Sequence, residues 1–388
     1  MESGRPLQFL FASDSFKGSL SSLEAATLLR EAALRYFPEA QVRMLEVADG
    51  GEGTVSAVVS AMGGSLQTVT VSGPLGEPAE AAYGLLGHNR AIIEMAAASG
   101  LPLVPADKRN PLLTSTYGTG QLIADALDRG VTDISLAIGG SATNDGGMGC
   151  MQALGARFLD AAGCELAGCG ANLSRVDTID TSGIDSRLEN THFTLMCDVD
   201  NPLLGERGAT RVFGAQKGAT PAMLDELESG MSTYANALQC AFPHFDPKTP
   251  GMGAAGGLGA AAATFLHADT LPGVESVLRL VGFDELLEGC TLCVTGEGHA
   301  DGQSAHGKVI SGIAAHCQAA GVPCVAVVGG MDSSAENLLT LGIDAIVPTV
   351  PDICAIDDAL THAKRNYRMA ADRLFALLSL GCTMHGNE

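Results

Sequence analysis

A three-part unit recurs along the 388-residue chain: a short apolar or β-branched run, a cluster of glycines and hydroxyl residues, and an alanine- and leucine-rich stretch of helical length. Runs of strand length cover 7–12, 41–47, 91–95, 134–138, 193–197, 292–295, 322–328 and 345–348, and helical stretches cover 22–36, 54–62, 121–129, 148–154, 221–238, 258–266, 308–320 and 357–380. Strands alternating with helices predict an α/β fold with parallel strands. The last helix opens on Asp357 and Asp358 and carries Lys364, Arg365 and Arg368 further on, leaving Leu360, Ala363, Tyr367, Ala370 and Leu374 as an apolar stripe. That pattern reads as a docking helix. The length suits two domains, yet no repeat, low-complexity tract or Pro/Ser-rich linker marks a boundary. Ligands of open α/β sheets bind beyond the carboxyl ends of strands, so the loops that follow strands carry the functional reading.

Composition narrows the classes. Subtracting 44 acidic from 22 basic side chains leaves a net charge of −22, which excludes a nucleic-acid binder working by general phosphate neutralisation. At 46% hydrophobic and 17% charged residues the chain can fill sizeable cores, which excludes disorder. The 49 glycines approach twice the usual ~7% share. They point to tight turns and to close backbone approach, a common setting for anion sites. Eleven cysteines without a framework fit a reduced, cytoplasmic setting. The one CxxC, Cys290 and Cys293, lies in the strand-like run CTLCVTG without a second CxxC, so these thiols read as structural and no zinc is implied. The uncharged stretches 53–76 and 249–268 are broken by glycines, hydroxyls and proline or are mostly Gly and Ala, and FLFA near the N-terminus is too short for a signal sequence. No membrane segment is expected, and assembly into a homo-oligomer stays open.

Chemistry concentrates in the loops. After the first strand, Ser13-Asp14-Ser15-Phe16-Lys17-Gly18-Ser19 sets an ammonium and three hydroxyls around one carboxylate. Lys17 suits a phosphate or carboxylate, or else Asp14 and Ser19 cap the next helix and Lys17 is solvated. Asp49-Gly50-Gly51-Glu52-Gly53 lets backbone approach a ligand, but its acids repel a bare phosphate. A metal–phosphate complex or a substrate hydroxyl fits better, the alternative being acids that favour a helix dipole.

Gly139-Gly140-Ser141-Ala142-Thr143-Asn144-Asp145-Gly146-Gly147 feeds glycines and hydroxyls into a helix, the most specific anion cradle in the chain. Thr114-Ser115-Thr116-Tyr117-Gly118-Thr119-Gly120 repeats the idea without an acid; both also read as structural turns. Asp198-Val199-Asp200-Asn201 pairs two carboxylates at a strand end, suited to Mg²⁺ or to proton abstraction from a hydroxyl, or to closing a turn. Gln216-Lys217-Gly218 adds a cation, and Glu297, His299 and Asp301 cluster after another strand in no standard zinc spacing.

Two motif matches fail on context. Gly302 to Lys308 resembles a P-loop, but Val309 has no hydroxyl for Mg²⁺, so only Lys308 is kept as a phosphate contact. Gly251 to Gly256 spells GxGxxG without a preceding strand and reads as a close-packed helix entry.

Together, DSFKGSL, VADGGEGT, STYGTG, IGGSATNDGG, CDVDNPLLG, FGAQKGAT, GMGAAGGLGA and TGEGHADGQSAHGK resemble, in this order and nearly end to end, the bacterial glycerate kinase family. The resemblance implies ATP-dependent phosphorylation of D-glycerate to 2-phosphoglycerate, in a cytosolic route from sugar acids or glyoxylate into glycolysis. It implies two α/β domains, one discontinuous and built from both chain ends (1–63 plus 291–388), the other flavodoxin- or Rossmann-like and inserted (64–290), with a cleft between them. The family often has Arg at His299 and Pro at Ile310. On this reading Lys17 neutralises phosphate and Asp198 takes or orients the hydroxyl proton. Asp49, Asp200, Glu297 and Asp301 would hold Mg²⁺. Phosphate and substrate would be bound by Ser15, Gly50, Gly51, Gly139, Gly140, Ser141, Thr143, Asn144 and Asn201, with Thr116, Thr119 and Lys217 on the glycerate carboxylate. The expected partners are the small molecules ATP and D-glycerate, with neither nucleic acid nor membrane. Rival readings are phosphorylation at the 3-hydroxyl, a nicotinamide-dependent oxidoreductase and a non-catalytic sugar-acid binding protein.

Overall fold

The structure is a computed structural model that describes residues 6–48, 50–51, 53–305 and 308–385. The strands are, in chain order, β1 (Gln8–Ser13) and β2 (Gln41–Glu46) near the N-terminus. The middle of the chain supplies β3 (Ser65–Ser72), β4 (Pro78–Leu86), β5 (Arg90–Glu94), β6 (Asp133–Ala137), β7 (Arg157–Leu159), β8 (Thr178–Asp180), β9 (His192–Met196) and β10 (Asp269–Leu271). The C-terminal part supplies β11 (Leu292–Ala300), β12 (Cys324–Met331) and β13 (Ala345–Pro348). Two compact units result, Met1–Asp49 with Val277–Glu388, and Gly50–Ser276.

The unit built from both chain ends is a five-stranded, wholly parallel sheet in the order β13-β12-β11-β1-β2. Counted within the unit this is the 2-1-3-4-5 flavodoxin order. Phe9, Leu10, Phe11 and Ala12 of β1 are all buried, the continuous apolar run expected of a strand covered on both faces. On one face Ala25, Leu28, Leu29 and Ala32 of helix Ser22–Tyr36 meet Tyr367, Ala371 and Phe375 of helix Ala363–His385, with Phe9 and Phe11 both against Phe375. Ser21 and Glu24 close a capping box at the start of the first of these helices. The single helix expected over 357–380 is two, Ile356–Thr361 and Ala363–His385. Tyr367, Ala370 and Leu374 of the stripe are buried, but Leu360 is 43% exposed because it precedes the break.

The Gly50–Ser276 unit has a mixed six-stranded sheet, β10-β9-β6-β5-β4-β3. β5, β6, β9 and β10 are parallel, while β3, β4 and β5 form an antiparallel meander. β3, β4 and the three-residue β10 are absent from the sequence reading: β3 is an edge strand with alternate residues exposed, and β4 carries three alanines, whose helical preference the pairing overrides. Helix Thr54–Met62 packs on β4 and β5, so the division falls at 49/50 and 276/277 where the sequence reading had 63/64 and 290/291.

Glycine is required where β11 meets β12. A Cβ at Gly296 would lie 2.0 Å from the Val327 carbonyl oxygen on the neighbouring strand. Neither backbone can yield without losing the ladder, so Gly296→Ala should lower unfolding free energy by about 2–4 kcal/mol. Chemical denaturation of the two proteins checks this, and equal midpoints would show that the strands part more easily than the geometry states.

Candidate functional site

The flavodoxin order reverses direction between β1 and β11, and the segments at their carboxyl ends flank one cavity there. The Asp14 N–H donates to the Gly296 carbonyl at 2.9 Å, and Ser22 Oγ donates to the Ser13 carbonyl at 2.7 Å, fixing the 13–20 turn against β11. Phe16 is buried edge-on against Tyr367 with ring centroids 5.2 Å apart. The apolar anchor at Phe16 leaves its neighbour Lys17 exposed.

A cavity of about 580 Å³ opens at this position, lined among others by Asp14, Ser15, Lys17, Glu297, His299 and Lys308. Gly329 and Gly330 at the end of β12 and Thr349 after β13 complete its floor. Lys308 Nζ stands 3.4 Å from Glu297 Oε2, 3.6 Å from Asp301 Oδ1 and 3.5 Å from Ser304 Oγ. Glu297 is only 7% exposed and its Oε1 has no hydrogen-bond partner among the described residues. Four of the sequence-derived residues, Ser15, Lys17, Glu297 and Asp301, thus share one cavity. Asp49 lies outside the described residues.

The Gly50–Ser276 unit brings a second group together at the carboxyl ends of β6 and β9. Asp198, exposed after β9, accepts the Gly273 N–H at 2.9 Å. A Cβ at Gly50 would lie 2.9 Å from Gly273 Cα and 3.9 Å from Asp198 Oδ2, and one at Gly139 would lie 3.8 Å from the Gly50 carbonyl oxygen. Glycine at position 50 is required twice, by that crowding and by its φ of +88°. Gly51 accepts from Thr54 Oγ1 at 2.7 Å. Gly139 and Gly140 are exposed beside this group.

The rest of the expected anion cradle is occupied from within. Asp145, fully buried, accepts from Thr116 N and Thr116 Oγ1 (2.8 Å each), Gly147 N (3.1 Å) and Gly149 N (3.3 Å). Burial pushes its carboxyl up and these donors oppose the shift. The amides that the sequence suggested for a ligand therefore serve an internal carboxylate. Thr119 Oγ1 is 2.8 Å from Ser99 Oγ, and Thr114 Oγ1 donates to the Ala142 carbonyl. Ser141 bridges to Gly100 as an isolated backbone pair. Thr143 and Asn144 are fully buried; Asn144 Nδ2 donates to Thr210 Oγ1 at 3.1 Å, while Thr143 Oγ1 and Asn144 Oδ1 have no protein partner among the described residues.

Three further candidates, Lys217, Asp200 and Asn201, sit in protein contacts. Lys217 is buried and donates to the Thr143 carbonyl at 2.7 Å, and burial pushes its ammonium down to about 7. Asp200 is exposed and paired with Arg207 Nη2 at 3.0 Å, and Asn201 Nδ2 ties the same turn to the Arg207 carbonyl at 2.7 Å. The turn reading of that segment describes Asp200 and Asn201. The GxGxxG segment behaves as a close-packed entry: a Cβ at Gly256 would lie 2.1 Å from the Thr143 carbonyl oxygen. The sequence reading missed Asp145, Gly273, Gly329 and Thr349. The paired glycines straight after the 322–328 run were a usable signal for Gly329; nothing marked Gly273.

Cavity, charged cluster and sheet order define an α/β protein with a polar site at a strand-order reversal, and comparison with known proteins specifies its class. Residues 9–379 match the model of the glycerate kinase family. A glycerate kinase of Bacillus subtilis (strain 168) is 46% identical, covering 97% of this chain and 99% of its own. A glycerate 2-kinase of Escherichia coli (strain K12) is 44% identical over 97% and 99%. A crystal structure from Salmonella typhimurium LT2, assigned as a glycerate kinase 2, has a TM-score of 0.89 at 43% identity over 98% and 100% of the chains. The chain belongs to the glycerate kinase family, and its activity is the transfer of a phosphoryl group to glycerate. Among the described residues no helix is long and apolar enough to cross a membrane.

Lys217 supplies a pH test of this arrangement. Its pKa is lowered from the ordinary 10.5 to about 7, so the cost of charging it is fully present below pH 7 and is lifted as pH rises from about 7 to 10.5. Relative to Lys217→Met, the wild-type protein should gain up to ~1.4 kcal/mol of stability per pH unit across that window. A stability difference that stays flat with pH would place the Lys217 ammonium in solvent.

Proposed function

We propose that the chain phosphorylates D-glycerate from ATP with Mg²⁺, giving 2-phosphoglycerate, in the cytoplasm. The observation that carries this reading is the cavity at the β1–β11 reversal, where two lysines and three carboxylates gather at the carboxyl ends of parallel strands. The name of the Escherichia coli relative supports the 2-position.

Phosphoryl transfer asks a protein to position the nucleophile and to neutralise charge, with little covalent chemistry of its own. Lys17 and Lys308 bind phosphate oxygens and offset charge on the moving group. Glu297 and Asp301 suit Mg²⁺, because they are hard oxygen donors and the buried Glu297 Oε1 lacks a partner among the described residues. When bound, the ion supplies charge neutralisation across the phosphates. Asp200, already paired with Arg207, is a poorer ligand. Asp198 accepts the proton of the attacking hydroxyl, its Oδ1 held by the Gly273 amide. The exposed Gly139 and Gly140 bring backbone N–H groups near oxygen anions.

Incubating the protein with D-glycerate, ATP and Mg²⁺ and resolving the products by phosphorus NMR should show 2-phosphoglycerate; 3-phosphoglycerate would overturn the assigned position. Asp198→Asn should lower kcat about 10²–10⁴-fold with a nearly unchanged KM for glycerate. A near-normal kcat would remove Asp198 from proton transfer. Lys17→Ala should cost roughly 10- to 100-fold in kcat/KM for ATP, the worth of a charge-assisted hydrogen bond. Unchanged kinetics would return Lys17 to a solvated turn.

A further inference from the structure

Cys293 on β11, Cys317 on helix Val309–Ala320 and Cys324 on β12 place their sulfurs within 4.8 Å of one another, and all three side chains are fully buried. No motif spacing marks the group. Cys293 shares its CxxC with Cys290, whose thiol donates instead to the backbone carbonyls of Leu292 (3.3 Å) and Gln8 (3.6 Å). Cys293 and Cys324 stand in direct register on parallel neighbours, and the helix packs on both strands to add the third sulfur. Hydrogen bonds from the other two thiols draw Cys317 toward the thiolate, while Cys293 and Cys324 are pushed up.

Geometry and charge select the occupant. With an ion–sulfur bond of ~2.3 Å, three sulfurs around one centre stand ~3.5–4 Å apart, so closure by about 1 Å completes the site. Among the described residues no histidine or carboxylate joins the three, which leaves a tetrahedral zinc set one protein ligand short. Three thiolates around a divalent or monovalent ion would leave net negative charge in a buried pocket, at high cost. His316 favours the Cys317 thiolate, but its Nδ1 is already held by Asp284 at 2.6 Å, and Asp344 adds negative charge where it accepts the Cys324 N–H at 2.8 Å. A trivalent ion leaves none.

We propose that Cys293, Cys317 and Cys324 form a three-sulfur site for one trivalent thiophilic ion, of the class of arsenous acid. The exchange balances without a redox partner: three S–H and three As–O bonds break, three As–S bonds form, and each thiol proton leaves with a hydroxide as water. Arsenic remains trivalent. The site also ties together three elements that reach the cavity, since β11 carries Glu297, Lys308 precedes the helix and β12 leads to Gly329.

The test equilibrates the full chain with arsenite and reads the coordination of bound arsenic by X-ray absorption. Three sulfur neighbours are expected, and one ion per chain. Cys293→Ala, Cys317→Ala and Cys324→Ala should each weaken binding at least ~10- to 100-fold, the loss that follows even from removing an outer-shell partner, whereas Cys290→Ala should bind as wild type. Absence of tight binding, two sulfur neighbours in the wild-type protein, or equal losses in Cys290→Ala would overturn the site. The wild-type spectrum decides the matter even if a variant fails to fold.

Discussion

The parallel pairing of β1 with β11 is the constraint on which the cavity depends. It sets Phe9 beside Leu292, Leu10 beside Cys293 and Phe11 beside Val294, joining segments from opposite ends of the chain. The pairing is held by burial of β1: Leu10 and Ala12 are covered on one face, and on the other Phe9 and Phe11 pack against Phe375 beneath the two terminal helices. With that register in place, the turn after β1 and the end of β11 must emerge side by side. Lys17 and Glu297 then line one cavity as a consequence of strand order. In parallel α/β sheets the carboxyl ends at a reversal of order are open to ligands because the loops there diverge.

Charge is handled locally in both units. A chain of net charge −22 gains little from long-range attraction to anionic substrates. In the chain-end unit, Lys308 sits between Glu297 and Asp301 and offsets carboxylates that would otherwise repel one another. In the Gly50–Ser276 unit the same problem has an inverse solution. A buried carboxylate, Asp145, gathers the Thr116, Gly147 and Gly149 donors and so joins two loops distant in sequence. Hydrogen bonding of this kind makes a buried charge tolerable and gives the loops a single arrangement.

Much of the architecture was legible in the chain. The apolar runs of β1, β2, β5, β6, β9, β11, β12 and β13 lie in or across the segments expected from pattern alone, because buried parallel strands leave continuous hydrophobic stretches. β3 and β4 were not, since an exposed edge strand and an alanine-rich partner carry no such run, and neither were β7, β8 and β10, each only three residues long. Of the candidate residues, Ser15, Lys17, Glu297 and Asp301 do meet, as do Gly50, Gly139 and Asp198. Thr116, Thr119 and Lys217 looked equally suited to an anion but are buried and hydrogen-bonded within the protein.

That contrast separates the two levels of information. The sequence by itself determined the α/β class, the loops that hold the chemistry and the family blocks, because hydrophobic period and local residue types act over short stretches of chain. Only the tertiary structure decided which hydroxyls and ammonium groups face solvent and which are spent on a neighbour. It also decided which cysteines converge. Those outcomes turn on partners far away in the chain, such as Asp145 for Thr116 and Cys324 for Cys293, and on burial that no local pattern encodes. A polar side chain becomes a binding group only when folding leaves its hydrogen bonds unmet by protein.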